Sequence, residues 1–218
     1  MITDERTAIY IESLDGGNTP ILEDIEREAL KDGVPIIRKS TQSLLKFLLA
    51  SNKPQRILEI GAAVGFSAIF MAEYGPKDVH VTTIENYERR IVKARENIKL
   101  ANKENVIRLI EGDAQETLEA LCEESTESFD MIFMDAAKAQ YINYLPLAKK
   151  LLVKGGVLIS DNVLFDGDIV QSRFAVRRRD RTIHARMREF LRVLTEDKDM
   201  VTTVLPIGDG MTLSIKEV

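Results

Sequence analysis

Leu58-Glu59-Ile60-Gly61-Ala62-Ala63-Val64-Gly65-Phe66-Ser67 joins a short apolar strand pattern to the start of a helical one through a glycine-rich turn. Such a turn lets a ligand approach the backbone closely. Reading outward from it, short apolar runs at 56–60, 79–84, 106–110, 130–134 and 156–160 alternate with helical segments, the pattern of βαβ units and a parallel sheet. Upstream, three amphipathic stretches at 4–13, 21–31 and 39–51 are separated by Gly16-Gly17 and Gly33-Val34-Pro35 and predict an N-terminal helical layer. Downstream, strand-like runs at 201–205 and 211–215 flank a segment containing Gly208-Asp209-Gly210, which predicts an antiparallel hairpin. The fold class is therefore α/β, read as one domain over 1–218, with helices in 1–52 and a Rossmann-like core in 53–218.

The turn is not G-x-G-x-x-G, because the middle glycine that admits a pyrophosphate is absent. A nucleoside cofactor without a diphosphate fits better. Glu85 ends the second strand, where a carboxylate can accept hydrogen bonds from both ribose hydroxyls, and Asp113 closes the third within reach of an adenine amino group. Either acid could instead cap a helix. Acids in register at successive strand ends favour the cofactor.

Strand four ends in Met134-Asp135-Ala136-Ala137-Lys138, and strand five in Ser160-Asp161-Asn162. In a doubly wound sheet, neighbouring strand ends open onto one crevice, so Asp135, Asp161 and Asn162 are expected to converge. Two carboxylates and an amide oxygen form a hard, all-oxygen set that suits Mg²⁺ and disfavours thiophilic metals. Asp161-Asn162 alone would more often be a turn or cap. Asp135 and Lys138 tilt the reading to a metal site.

The 218 residues suffice for one α/β domain with a substantial core. Cys122 is the only cysteine, so no internal disulfide can form, and His80 and His184 stand apart, which argues against zinc. No apolar run approaches the ~20 residues that span a bilayer, and the N-terminus lacks a signal-peptide pattern; no membrane partner and a cytoplasmic location are expected. The net charge of −5 is uneven: eight arginines against Asp180 and Glu189 between Arg173 and Arg192 make that segment +6 and leave the rest at −11. Such a patch attracts polyanions, or is a solvated helix face or an oligomer contact.

Five parallel strands followed by a hairpin resemble the class I methyltransferase sheet. Leu58 to Ser67, Glu85, Asp135-x-x-Lys138-x-x-Tyr141 and Asp161-Asn162-Val163-Leu164 are similar to the cation-dependent O-methyltransferases, a family that includes catechol and caffeoyl-CoA O-methyltransferases. Val34-Pro35-Ile36, Gln140-Tyr141, Phe165, the run Arg177-Arg178-Arg179 and Pro206 to Gly210 resemble most its bacterial tRNA 5-hydroxyuridine methyltransferase branch. Plant caffeoyl-CoA enzymes have an aspartate where this chain has Ala137.

The resemblance implies an S-adenosylmethionine site lined by Ile37, Glu59, Gly61, Gly65, Ser67, Glu85, Asp113, Ala114 and Asp135. It implies Mg²⁺ on Asp135, Asp161 and Asn162, and Lys138 as general base with Asp135 beside it. The acceptor would carry two adjacent oxygens: a 5-hydroxyuridine in tRNA, with Arg177, Arg178, Arg179 and Arg181 on the RNA backbone, or a small catechol. A homodimer is implied as well. An NAD-dependent oxidoreductase would suit Glu85 but neither the glycine spacing nor the hairpin, and a non-catalytic nucleic-acid-binding module would transfer no methyl group.

Overall fold

The computed structural model describes residues 4–126 and 128–217, apart from the side chains of residues 5 and 166. Its chain divides into two compact units, Ala8–Thr117 and a C-terminal half from Leu118.

In the first unit, α1 (Glu5–Ser13), α2 (Pro20–Lys31) and α3 (Lys39–Asn52) form the helical layer, and β1 (Arg56–Ile60), α4 (Phe66–Tyr74), β2 (His80–Glu85), α5 (Glu88–Leu100) and β3 (Ile107–Glu111) alternate behind it. The strands lie in the order β3-β2-β1 and all pair in parallel. Ile60 is registered with Ile84, and Glu85 with Glu111. Parallel strands are covered on both faces, which explains their near-continuous apolar runs. α4 is apolar on every side, and Phe66 to Ala72 are all buried. A helix hydrophobic all round belongs in the middle of a core. α2 instead buries one stripe of Leu22, Ile25 and Ala29 and leaves its acidic face in water.

In the second unit, α6 (Ala114–Glu124) leads to β4 (Phe129–Met134), α7 (Tyr141–Leu151), β5 (Leu152–Ser160), α8 (Arg181–Glu196), β6 (Met200–Leu205) and β7 (Met211–Lys216). β4 and β5 are parallel, while β7 pairs antiparallel with both β5 and β6, giving the order β4-β5-β7-β6 and the expected terminal hairpin. Among the described residues the two units thus hold seven strands. β5 starts four residues earlier than the sequence pattern suggests. Lys154-Gly155-Gly156 resembles a turn, but Gly155 takes a φ of +77° inside the strand, and the pairing shifts register between Phe129 and Met131. A glycine with positive φ permits such a bulge without ending the strand.

Candidate functional site

Within the first unit, the turn after β1 is held by its own backbone. Gly61 and Ala62 donate to the carbonyl of Ile84 at 3.1 and 3.0 Å, and Gly65 N–H donates to Ala62 O at 2.7 Å. Gly65 has a φ of +81°, and a Cβ there would lie 3.4 Å from Ala94, so glycine serves both the left-handed turn and the close approach of α5. Asn97 of α5 donates to Val64 O at 2.8 Å, a support no motif announces.

Glu85 is buried at the end of β2. One carboxylate oxygen accepts from Ala63 N–H at 2.8 Å, and the other from Asn86 and Tyr87 N–H at 3.0 Å each. Three amide donors fix the carboxylate against the glycine-rich turn and still leave acceptor capacity, since an ionised carboxylate has about four lone-pair sites. Ser67 lies buried in the first turn of α4, and Ile37 is buried with its carbonyl accepting from Gln42 Nε2 at 2.9 Å. Asp113 accepts from Gln115 and Glu116 N–H at 2.8 and 3.2 Å, so it caps α6, which begins at Ala114. Glu59 is fully buried and accepts the Thr83 hydroxyl across the β1–β2 pairing. It ties these two strands together just before the glycine-rich turn.

Within the second unit, the ends of β4 and β5 are joined by Tyr141. Its buried hydroxyl is shared between Met134 O at 3.1 Å and Asp161 O at 3.0 Å, and accepts from Ala136 N–H at 3.3 Å. Burial, followed by the charges of Asp135 and Asp161, raises its phenol well above the usual tyrosine range, so it stays a donor. Phe190 of α8 packs edge-on against the ring at 5.5 Å. Removing the hydroxyl by Tyr141→Phe leaves an amide and two carbonyls without it, at a cost of roughly 1–3 kcal/mol. The expected result is a lower melting temperature in thermal denaturation of purified protein. An unchanged melting temperature would refute its role in joining the ends of β4 and β5.

Asp161 is buried, and its carboxyl is pushed up to about 7, first by burial and then by the charge of Asp135, against the opposing Asn162 N–H at 2.7 Å and the charge of Lys138. Asp209 adds to the repulsion. Carboxylates crowded in a low-dielectric setting are stabilised by a cation. That electrostatic demand fits a hard divalent ion. Among the described residues no group of three or more His, Cys, Asp or Glu is arranged to hold a metal, so the candidate set is two carboxylates and the amide of Asn162, whose φ is +61°.

Lys138 sits in a 3₁₀ turn (Lys138–Gln140) with its Nζ 5.0 Å from the centre of the Phe165 ring. Phe165 has a φ of +49°, an uncommon conformation for a bulky side chain. Val163 and Leu164 N–H donate to Gly210 and Asp209 carbonyls at 2.9 Å each, so the hairpin turn holds this segment. A Cβ on Gly210 would lie 2.2 Å from Leu164 Cγ. Gly210→Ala therefore forces the segment carrying Phe165 to move, and overpacking of this kind costs about 1–3 kcal/mol. A lower melting temperature at unchanged far-ultraviolet circular dichroism is expected; a wild-type melting curve would contradict it.

α8 anchors its surroundings through three side chains. Arg186 donates to Ala139 O at 3.0 Å in the Lys138 turn, His184 Nε2 lies 3.2 Å from Gln171 O, and Arg181 donates to Phe174 O at 3.3 Å. Arg177, Arg178 and Arg179 are exposed, as expected of an anion-binding stretch, whereas Arg181 is half-buried. The Arg181 guanidinium holds a loop carbonyl.

Comparison with known proteins places this geometry in context. The sequence model of the family described as O-methyltransferase matches residues 12–217. A catechol O-methyltransferase from Niastella koreensis is 32% identical over 74% of this chain and 74% of its own length. The caffeoyl-CoA O-methyltransferase 1 of Eucalyptus globulus is 33% identical over 78% and 68%. Among solved structures, the Bacillus cereus O-methyltransferase in complex with SAH is 25% identical, with a TM-score of 0.86 and full coverage of both chains.

Proposed function

Because the chain belongs to the O-methyltransferase family, we propose that it is a Mg²⁺-dependent enzyme that moves the methyl group of S-adenosylmethionine onto one of two adjacent oxygens, and that its acceptor is 5-hydroxyuridine at the tRNA wobble position. The cofactor reading is supported by SAH in the Bacillus cereus structure and by the Glu85 carboxylate locked beside the glycine-rich turn. In this reading Glu85 takes the ribose hydroxyls and Asp113 and Ala114 the adenine, while Ile37, Gly61, Gly65 and Ser67 line the rest. Asp135, Asp161 and Asn162 hold the Mg²⁺. When bound, the metal supplies positive charge that makes a neighbouring hydroxyl easier to ionise.

Lys138 takes the proton released by the acceptor hydroxyl, freeing an oxygen lone pair to attack the methyl carbon as the carbon–sulfur bond breaks. Phe165 beneath its Nζ and Arg186 behind its turn keep Lys138 in place. Tyr141 sets the spacing of the strand ends that carry the two acids. Holding acceptor and donor in a near-attack geometry contributes further.

The observation that carries the tRNA acceptor is the exposed run Arg177, Arg178 and Arg179, following Asp161 and Asn162 along the chain in the same compact unit. Exposed arginines in series suit a phosphate backbone. A second reading, a small catechol or a caffeoyl-CoA-like phenol, is favoured by the relatives described above. Both acceptors present vicinal oxygens, so one site chemistry serves either. Incubation with labelled S-adenosylmethionine, Mg²⁺, hypomodified tRNA and a catechol panel, followed by mass spectrometry of nucleosides, separates them. Methoxyuridine without methylated catechol is the expected result, and the reverse would transfer the assignment to the phenol.

The proposal includes a single functional domain, a cytoplasmic location and a homodimer. Among the described residues no helix is long and apolar enough to cross a membrane. The dimer is supported by Ile9, Tyr10 and Ile11, exposed on α1, and by Leu14, exposed just after it.

A further inference from the structure

Phe174 is 81% exposed. Its position is nevertheless held. The Phe174 N–H donates to Ser172 Oγ at 3.3 Å, Ala175 N–H donates to Ser172 O at 2.8 Å, and Val176 is buried just beyond. The guanidinium of Arg181 lies 5.7 Å from the ring centre and donates to the Phe174 carbonyl. Arg173, Arg177, Arg178 and Arg179 are exposed around it in sequence, and among the described residues only Arg179 has a carboxylate near it, Asp180 at 3.7 Å. A tight turn thus presents an aromatic ring, backed by one cation, within a row of cations of which, among the described residues, only Arg179 has an anionic partner.

We propose that Phe174, supported by Arg181, is a stacking platform for an unpaired nucleobase of an RNA loop whose phosphates lie on Arg177, Arg178 and Arg179. The proposal rests on the tRNA reading above and deepens it. An isolated surface phenylalanine is ordinary, and a run of arginines is ordinary. Together on one anchored segment they meet the two demands of single-stranded nucleic acid, a flat face for the base and fixed positive charge for the backbone. A duplex keeps its bases stacked and would use only the charge.

The chain contains no tryptophan, so Phe174→Trp introduces a single indole reporter at the platform. Binding of wild type, Phe174→Ala and Phe174→Trp is measured by anisotropy against three probes: a hairpin RNA with 5-hydroxyuridine in its loop, a blunt RNA duplex of equal charge, and a CoA thioester. Phe174→Ala is expected to weaken hairpin binding roughly ten- to hundredfold, the range for losing one base–aromatic stack. Duplex affinity and S-adenosylmethionine affinity should stay at wild-type levels. Phe174→Trp should restore hairpin binding, with its indole emission quenched on addition of the hairpin. Equal hairpin affinity in Phe174→Ala and wild type, or emission indifferent to RNA, overturns the platform and leaves the tRNA reading standing. A wild-type protein that neither binds nor methylates the hairpin overturns both. If Phe174→Ala loses affinity for the CoA thioester but not for the hairpin, the RNA occupant is wrong.

Discussion

Asp161→Asn is expected to reduce Mg²⁺-dependent methyl transfer by roughly a hundred- to a thousandfold while leaving S-adenosylmethionine binding near wild type. The magnitude corresponds to the several kcal/mol that a bound cation contributes to stabilising developing charge, at about 1.4 kcal/mol per tenfold. Asparagine keeps the shape and removes one of two anionic ligands. Turnover is measured with excess cation and after chelation, with cofactor affinity measured in parallel. Full activity in chelator-treated variant would remove the metal from the mechanism.

The same residue makes a prediction about stability. The Asp161 carboxyl is raised from 3.8 to about 7 in the folded chain. Between those values the folded protein keeps a proton that the unfolded chain has released, so metal-free stability falls as pH rises from about 4 to about 7 and levels off above. The ceiling of this effect is roughly 4 kcal/mol for a shift of that size. Melting curves in chelator should show the slope, Asp161→Asn should flatten it, and Mg²⁺ should restore stability at pH 8. A slope unaltered by the substitution would assign it to other groups.

Replacing Arg177, Arg178 and Arg179 together by alanine should weaken tRNA binding by at least an order of magnitude at low salt. It should also reduce the slope of log affinity against log salt by up to about 3, near one unit per lost phosphate contact. All three side chains are exposed, so the fold should not be disturbed. S-adenosylmethionine affinity of the variant should match wild type, because the cofactor carries no phosphates to meet the patch. A salt series superimposable on that of wild type would exclude these arginines from the RNA interface.

How far the sequence could be read differs from element to element. β1 and α3 are legible nearly to the residue, because each is bounded by turn residues and carries an unbroken apolar pattern. β5 is not, because Gly155 is punctuation in one dimension and a bulge in three. Asp113 and Glu85 look alike as acids at strand ends. Only the structure separates them, with Asp113 exposed and capping α6 while Glu85 is buried among the amides of the glycine-rich turn and the start of α5. Glu59 stands within the family-like motif yet faces Thr83 inside the sheet.

What the sequence by itself determined is the alternation of strands and helices, the glycine-rich turn after β1 and the acids at the strand ends. These depend on periodicity and on residues close along the chain. The tertiary structure alone decided which of those groups are buried and what they face. Tyr141 reaches Asp161 from twenty residues away, Arg186 holds Ala139 from forty-seven, and the turn at Gly210 meets Leu164. Hydrogen bonding and charge strengthen when water is excluded, and exclusion of water is a property of packing that no local pattern encodes.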